Sequence, residues 1–319
     1  MSVQAPSSVV LIRPHHFTPN PDTAGDNAFQ SLDPSRTPAR VAADAYDEVT
    51  AAAQALTAAG VRVHLFDDVE ATRPDSVFPN NWFSTHAGGR IAIYPMYSPS
   101  RRAERRTDIL EMLKAHYRVQ ELVDYSGLEH DRAYLEGTGA MVLDHVSRVA
   151  YVARSNRADP LVLQRFCAQF GYEPMVFDAA DEAGISIYHT NVMMTIATSF
   201  VLVGLELIDD AARRAEVARA LAGPGRDIVA LSAAQVRDFA GNALELATPT
   251  GRVLVLSARA ERSLTWAQRA TIERSCRILA LEVPTIELAG GSVRCMLAGI
   301  FLTPRPVYAS VSQEPVLMA

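Results

Sequence analysis

Glu136, His189, Asn242 and Cys295 follow one another at a constant step of 53 residues, and Asn81 stands 55 residues before Glu136. Each opens an apolar stretch, as in Glu136-Gly137-Thr138-Gly139-Ala140-Met141-Val142 and His189-Thr190-Asn191-Val192-Met193-Met194. A period of this length marks a repeated structural unit, and stacked units bring equivalent positions to a common axis. Residues about 160 positions apart in sequence can therefore meet.

The pattern between these residues recurs as strand, strand, helix, strand. It predicts strands at 82–85 and 90–94, a helix near 102–115 and a strand at 117–123. The next unit has strands at 140–143 and 148–153, a helix over 160–170 opened by Pro160, and a strand at 174–177. The fourth has strands at 192–197 and 200–205, a helix over 210–221 and a strand at 227–231. The fifth has strands at 244–247 and 253–257, a helix over 265–281 and a strand at 281–283. The Cys295 stretch has opening strands and no helix after it. The helix over 40–59, ended by Gly60 and followed by a strand at 61–66, has no strand pair before it. Joined with the strand at 9–13, the two ends complete one unit. The expected fold is α/β: a single domain, 1–319, built as a five-bladed pseudo-symmetric α/β propeller of ββαβ units and closed by the N- and C-terminal segments.

Residues 14–38 hold Pro14, Pro19, Pro21, Pro34 and Pro38 and read as a long loop, a candidate lid. The apolar stretch 192–208 is broken by Thr195, Thr198, Ser199 and Glu206 and reads as a hairpin, so no membrane association is expected. No basic flank precedes the short apolar run Val9-Val10-Leu11-Ile12, and a cytoplasmic protein without a signal peptide is expected.

With 319 residues, 49% hydrophobic and 21% charged, the chain can bury a large core. A net charge of −6 gives no field for nucleic acid. The basic cluster Arg101-Arg102-Ala103-Glu104-Arg105-Arg106 reads as a solvated first helical turn. Three cysteines without close Cys or His spacing exclude a disulfide framework and point away from a zinc site. No cofactor and no metal are expected. Cys167 and Cys276 fall within predicted helices at 164–170 and 269–280 and read as packing residues.

Cys295 follows Gly290-Gly291 in a run whose alternation places Val293, Cys295 and Leu297 on one face of a strand. Alone, a cysteine there is a small hydrophobe. In phase with His189 and Glu136 it becomes a candidate nucleophile. A histidine can take the thiol proton and return it to a leaving group, and a carboxylate holds that histidine and favours its protonated form.

Glu136-Gly137, His189-x-Asn191 and Gly290-Gly291-x-x-x-Cys295 together resemble the guanidine-modifying superfamily, the five-bladed penteins that include arginine deiminase, dimethylarginine hydrolase and amidinotransferases. Phe78-Pro79-Asn80-Asn81-Trp82 is similar to the citrulline-utilisation hydrolase branch. The resemblance implies Cys295 as nucleophile, His189 as general acid and base, and Glu136 as its partner. It further implies a substrate-binding group of Asp75, Asn80, Asn81, Arg157 and Asn191, with Arg157 holding a substrate carboxylate.

Arginine-using members carry aspartates where this chain has Asn81 and Asn191. A buried guanidinium needs opposite charge, whereas a carboxamide offers a donor and an acceptor to a neutral ureido group. The expected reaction is therefore hydrolysis of citrulline or a related ureido amino acid to ornithine and ammonia. Asp75 keeps arginine or a substituted arginine open as the alternative, and a non-catalytic pentein scaffold is the reading of another class. The expected partner is a small amino-acid substrate; homo-oligomerisation is left open.

Overall fold

The computed structural model describes residues 3–223 and 225–306. They form a mixed α/β structure with five separate three-stranded sheets. Within each, the first strand of the unit runs antiparallel to the middle strand, and the last runs parallel to it. Phe83–His86, Arg90–Ile93 and Glu121–Asp124 form one sheet. Met141–Asp144, Val149–Ala153 and Glu173–Phe177 form the next. Met194–Ile196, Phe200–Val203 and Asp227–Ala230 follow, then Leu244–Thr248, Gly251–Ser257 and Arg277–Leu281. The remaining sheet joins the two ends of the chain: Ser8–Pro14 pairs antiparallel with Ala298–Gly299 and parallel with Arg62–Asp68. Among the described residues none of the five sheets closes on itself.

A parallel third strand needs a crossover, and helices supply it. Pro38–Ala58 starts from Thr37, whose side chain caps Arg40 N–H, and buries Val41, Ala45, Val49, Ala52, Ala53 and Leu56 on one face. Pro160–Phe170 is capped by Asp159 and ends at Gly171, whose φ of 70° is the left-handed stop that glycine accepts at no steric cost. Middle strands such as Phe200–Val203 are buried along their whole length, which explains their unbroken apolar sequence. No described helix is long and apolar enough to cross a membrane.

Three expectations are corrected. The helix expected over 265–281 is confined to Trp266–Glu273, a separate short helix, Ala258–Ser263, precedes it, and Arg277–Leu281 is a strand. Pairing of Ile278-Leu279-Ala280 with Leu254-Val255-Leu256 overrides the helix preference of leucine and alanine. Cys276 consequently lies in the link before that strand, not on a helix, and is buried. Cys295 is on a helical turn, Val293–Met296, and only Ala298–Gly299 is strand.

Candidate functional site

Asn81 and the four residues at the 53-residue step stand just before their strands, at helical turns or tight links. Asn81 closes the turn Pro79–Asn81, Glu136 precedes Gly137–Ala140, His189 precedes Thr190–Val192, and Asn242 lies two residues before Leu244–Thr248. The Cys295 turn is fixed by Ser292, whose carbonyl accepts from Cys295 N–H at 2.9 Å, and by Asn242 Oδ1, which accepts from Arg294 N–H at 3.0 Å. Those two bonds explain why the alternating run does not extend as a strand. Gly139 allows a close approach of neighbouring units: a Cβ there would meet the His189 ring at 2.8 Å.

Sγ of Cys295 receives Asn242 Nδ2 at 3.3 Å and Asn191 Nδ2 at 3.4 Å. His189 Nε2–H donates to Glu136 Oε2 at 2.9 Å, a tautomer fixed by the carboxylate and leaving Nδ1 as an acceptor. His189 and Cys295 line one narrow cavity with Asp75, Asn81, Arg101 and Arg157. Glu136 is fully buried behind His189.

Asp75, Arg101 and Arg157 line this cavity, and the two arginines are held by three further carboxylates, Asp26, Glu104 and Glu136. Arg157 forks onto Asp26 through Nε at 3.2 Å and Nη2 at 2.5 Å, and Nη1 reaches Glu136 at 3.3 Å. Arg101 forks onto Glu104 at 3.0 and 2.9 Å and lies 3.6 Å from both Asp75 and Glu136. Burial alone would raise the Glu136 carboxyl, but Arg157, His189 and Arg101 hold it well below the usual carboxylate range. Burial pushes His189 down to about 4, and the two arginines add to that against the pull of Glu136. The pair is thus carboxylate and neutral imidazole near neutrality. The carboxylate does pull the histidine toward its protonated form, as expected, but burial outweighs that pull. Burial raises Asp75, and pushes Glu104 up to about 7 despite Arg101.

The expected substrate-binding residues divide. Asp75 lines the cavity; its Oδ2 accepts from Asn20 Nδ2 at 2.9 Å, and its buried Oδ1 has no partner among the described residues. Asn81 lines it too; with its amide turned to suit its neighbours, the oxygen accepts from both terminal nitrogens of Arg101 at 3.2 and 2.9 Å and the nitrogen donates to Asn80 Oδ1 at 3.1 Å. Asn80 stands outside the wall and supports it: its carbonyl accepts from Thr138 Oγ1 at 3.2 Å. Asn191 touches the sulfur. Arg157 lines the cavity with its fork engaged by Asp26.

Sequence reasoning missed Arg101 and Asp26. Arg101, read as part of a solvated turn, is 2% exposed. Its cluster of four arginines gives no phase that singles out the inward one; the Glu104 partner three residues on is the only local signal. Asp26 comes from the 14–38 segment, which is pinned down by Asn27 Nδ2 donating to Ala289 O at 3.1 Å and Ser31 N–H donating to Leu288 O at 2.9 Å. Among the described residues no cluster of three or more His, Cys, Asp or Glu could hold a metal.

A family model described as N,N dimethylarginine dimethylhydrolase, eukaryotic, matches residues 13–302. No curated protein matches the chain in sequence. Among solved structures, the N-terminal domain of ArgZ, a substrate-bound variant of an arginine dihydrolase from the ornithine-ammonia cycle in cyanobacteria, superposes with a TM-score of 0.69. It has 13% identity and covers 93% of this chain and 98% of its own. AgrE with L-arginine has a TM-score of 0.69 and 15% identity over 93% of this chain and 40% of its own. A dimethylarginine dimethylaminohydrolase adduct has a TM-score of 0.64 and 14% identity over 92% of this chain and 100% of its own. These pentein-fold enzymes share the fold of this chain.

Proposed function

Because the chain belongs to the N,N-dimethylarginine dimethylhydrolase family, we propose that it is a cysteine-dependent hydrolase of a C–N bond, acting on the ureido group of citrulline or a related ureido amino acid. The observation that carries the substrate is the pair of carboxamides on the sulfur, Asn191 and Asn242, where a cationic group would require carboxylates. Glu136, behind the cavity, is matched by Arg157, Arg101 and His189, and Asp75, on its wall, lies 3.6 Å from Arg101. The five sheets are taken to be the blades of one propeller, with the phased residues on its axis.

In this reading neutral His189 takes the Cys295 proton at Nδ1 while Glu136 holds Nε2–H. The thiolate, supported by the two amide N–H groups, adds to the ureido carbon. Collapse breaks the bond to the side-chain nitrogen of ornithine, which leaves with the proton from His189. Water, deprotonated by His189, then cleaves the S-carbamoyl group. Carbamic acid is released and decomposes to carbon dioxide and ammonia, and the thiol is restored. No cofactor enters the scheme.

A second reading, hydrolysis of arginine or a substituted arginine by the same three residues, is favoured by one observation. Asp75 lines the same cavity, and its buried Oδ1, an acceptor without a partner among the described residues, could receive a guanidinium N–H. Citrulline, arginine and the methylated arginines should be assayed separately for ornithine, citrulline and ammonia. Ornithine with ammonia from citrulline alone is expected; turnover of arginine or a methylated arginine, with citrulline inert, would replace the first reading by the second.

A further inference from the structure

Arg294 lines two small chambers that share Leu143, His145, Leu244 and Phe301 and have no residue in common with the Cys295 cavity. Among the described residues neither wall holds an aspartate or glutamate. Asp144 and Glu245, the acids next in sequence to wall residues, are engaged elsewhere. Asp144 forks onto Arg226 and accepts from the N–H groups of Val146 and Ser147, and Glu245 accepts from Thr198 and faces Arg252. Arg294 makes no salt bridge among the described residues, and of its side-chain nitrogens only Nη1 has a partner there, Leu297 O at 3.0 Å. The wall hydroxyls of Thr85 and Thr195 do not serve the other two: each already donates to a main-chain carbonyl and accepts from a main-chain N–H. Burial pulls Arg294 down to about 10, which leaves it a cation near neutrality.

His145 offers a second donor on the same walls. It lines both chambers, is 8% exposed, and stacks on Phe301 with ring centroids 3.9 Å apart. Burial keeps its ring neutral, and its Nδ1 lies 2.9 Å from the Tyr172 hydroxyl, which has no other acceptor among the described residues. The hydroxyl therefore donates to Nδ1, and the ring proton sits on Nε2, a donor with no partner among the described residues. A cation inside a protein needs a counter-charge, and these walls supply none. Each chamber has room for roughly one or two water-sized bodies, too little for sulfate, phosphate or a carboxylic acid. We propose that Arg294 and His145 hold a monatomic anion, chloride in ordinary solution, in the chambers they line. The anion gives the guanidinium its missing counter-charge and accepts from the imidazole N–H.

The site goes beyond the proposed hydrolysis and its test needs no substrate. Crystals grown in sodium chloride are measured at long wavelength, where chloride scatters anomalously and water does not. An anomalous peak within hydrogen-bond distance of Arg294 and His145 is expected. In solution the melting midpoint is followed as sodium gluconate, whose anion is too large for the chambers, is exchanged for sodium chloride at constant ionic strength. The wild type should gain a few degrees and saturate, as a bound ligand requires, and Arg294→Met should gain nothing. Arg294→Gln keeps a donor for Leu297 O and serves should methionine fail to fold. Water alone in the chambers, a chloride peak at crystal concentration with no shift in solution, or the same shift in wild type and the neutral variant would each overturn the proposal.

Discussion

Two amide nitrogens at 3.3 and 3.4 Å from Sγ make the sulfur sensitive to any charge placed on them. Asn191→Asp would put a carboxylate beside a developing thiolate and remove a donor, a cost of about 1–3 kcal/mol. Citrulline kcat/KM should fall about ten- to hundred-fold in steady-state assays, while the fold survives by circular dichroism. Adding Asn81→Asp places a second acid against Arg101, whose terminal nitrogens lie 2.9 and 3.2 Å from the amide oxygen when the amide is turned toward them. The double variant should gain affinity for arginine relative to citrulline, read by titration calorimetry; an unchanged ratio contradicts the carboxamide argument. At this scale the sequence was legible where phase repeats: the step of 53 led to Glu136, His189, Asn242 and Cys295, which the fold gathers around one sulfur and one imidazole. It was illegible where a residue's direction depends on a distant partner. Arg101 turns inward because Asp75, Glu104 and Glu136 await it, and of these only Glu104 is a sequence neighbour.

The succession strand, strand, helix, strand could be read from apolar runs and turn residues, except in the fifth unit, where the helix expected over 265–281 covered the strand Arg277–Leu281. Local structure at the phased residues could not. A run such as Val293-Arg294-Cys295-Met296-Leu297 satisfies strand alternation, but bonds from Ser292 and Asn242 wind it into a turn. The 14–38 segment was legible as a loop, not as a contributor of Asp26 to Arg157. That contact makes a prediction for the element. Asp26→Asn removes a charge-assisted fork from Arg157 and should loosen the segment by about 1–3 kcal/mol. Limited proteolysis within 14–38 should accelerate, and melting should move down only slightly. Unchanged cleavage would mean that Asn27 and Ser31 hold the segment without Asp26.

Across the whole molecule, stability should carry the mark of histidines kept neutral by burial. His145 stacks on Phe301 with ring centroids 3.9 Å apart, bonds Tyr172 through Nδ1 at 2.9 Å, and is pushed down to about 3. The unfolded chain takes up a proton there near pH ~6.5, the folded chain only near 3, so this contribution is present above ~6.5 and lost as pH falls below it. Melting of wild type should therefore decline more steeply between about pH 7 and 4 than melting of His145→Gln, by up to about 3 kcal/mol. Parallel curves would show that His145 takes no part. The claim on which the functional account turns is covalent, and it is tested most directly by acid-quenching the whole enzyme during citrulline turnover and mapping the adduct by mass spectrometry. The account predicts a carbamoyl group on the peptide bearing Cys295, absent in Cys295→Ser together with ornithine release. An adduct on Cys167 or Cys276, or ornithine formed by the serine variant at the wild-type rate, would contradict it.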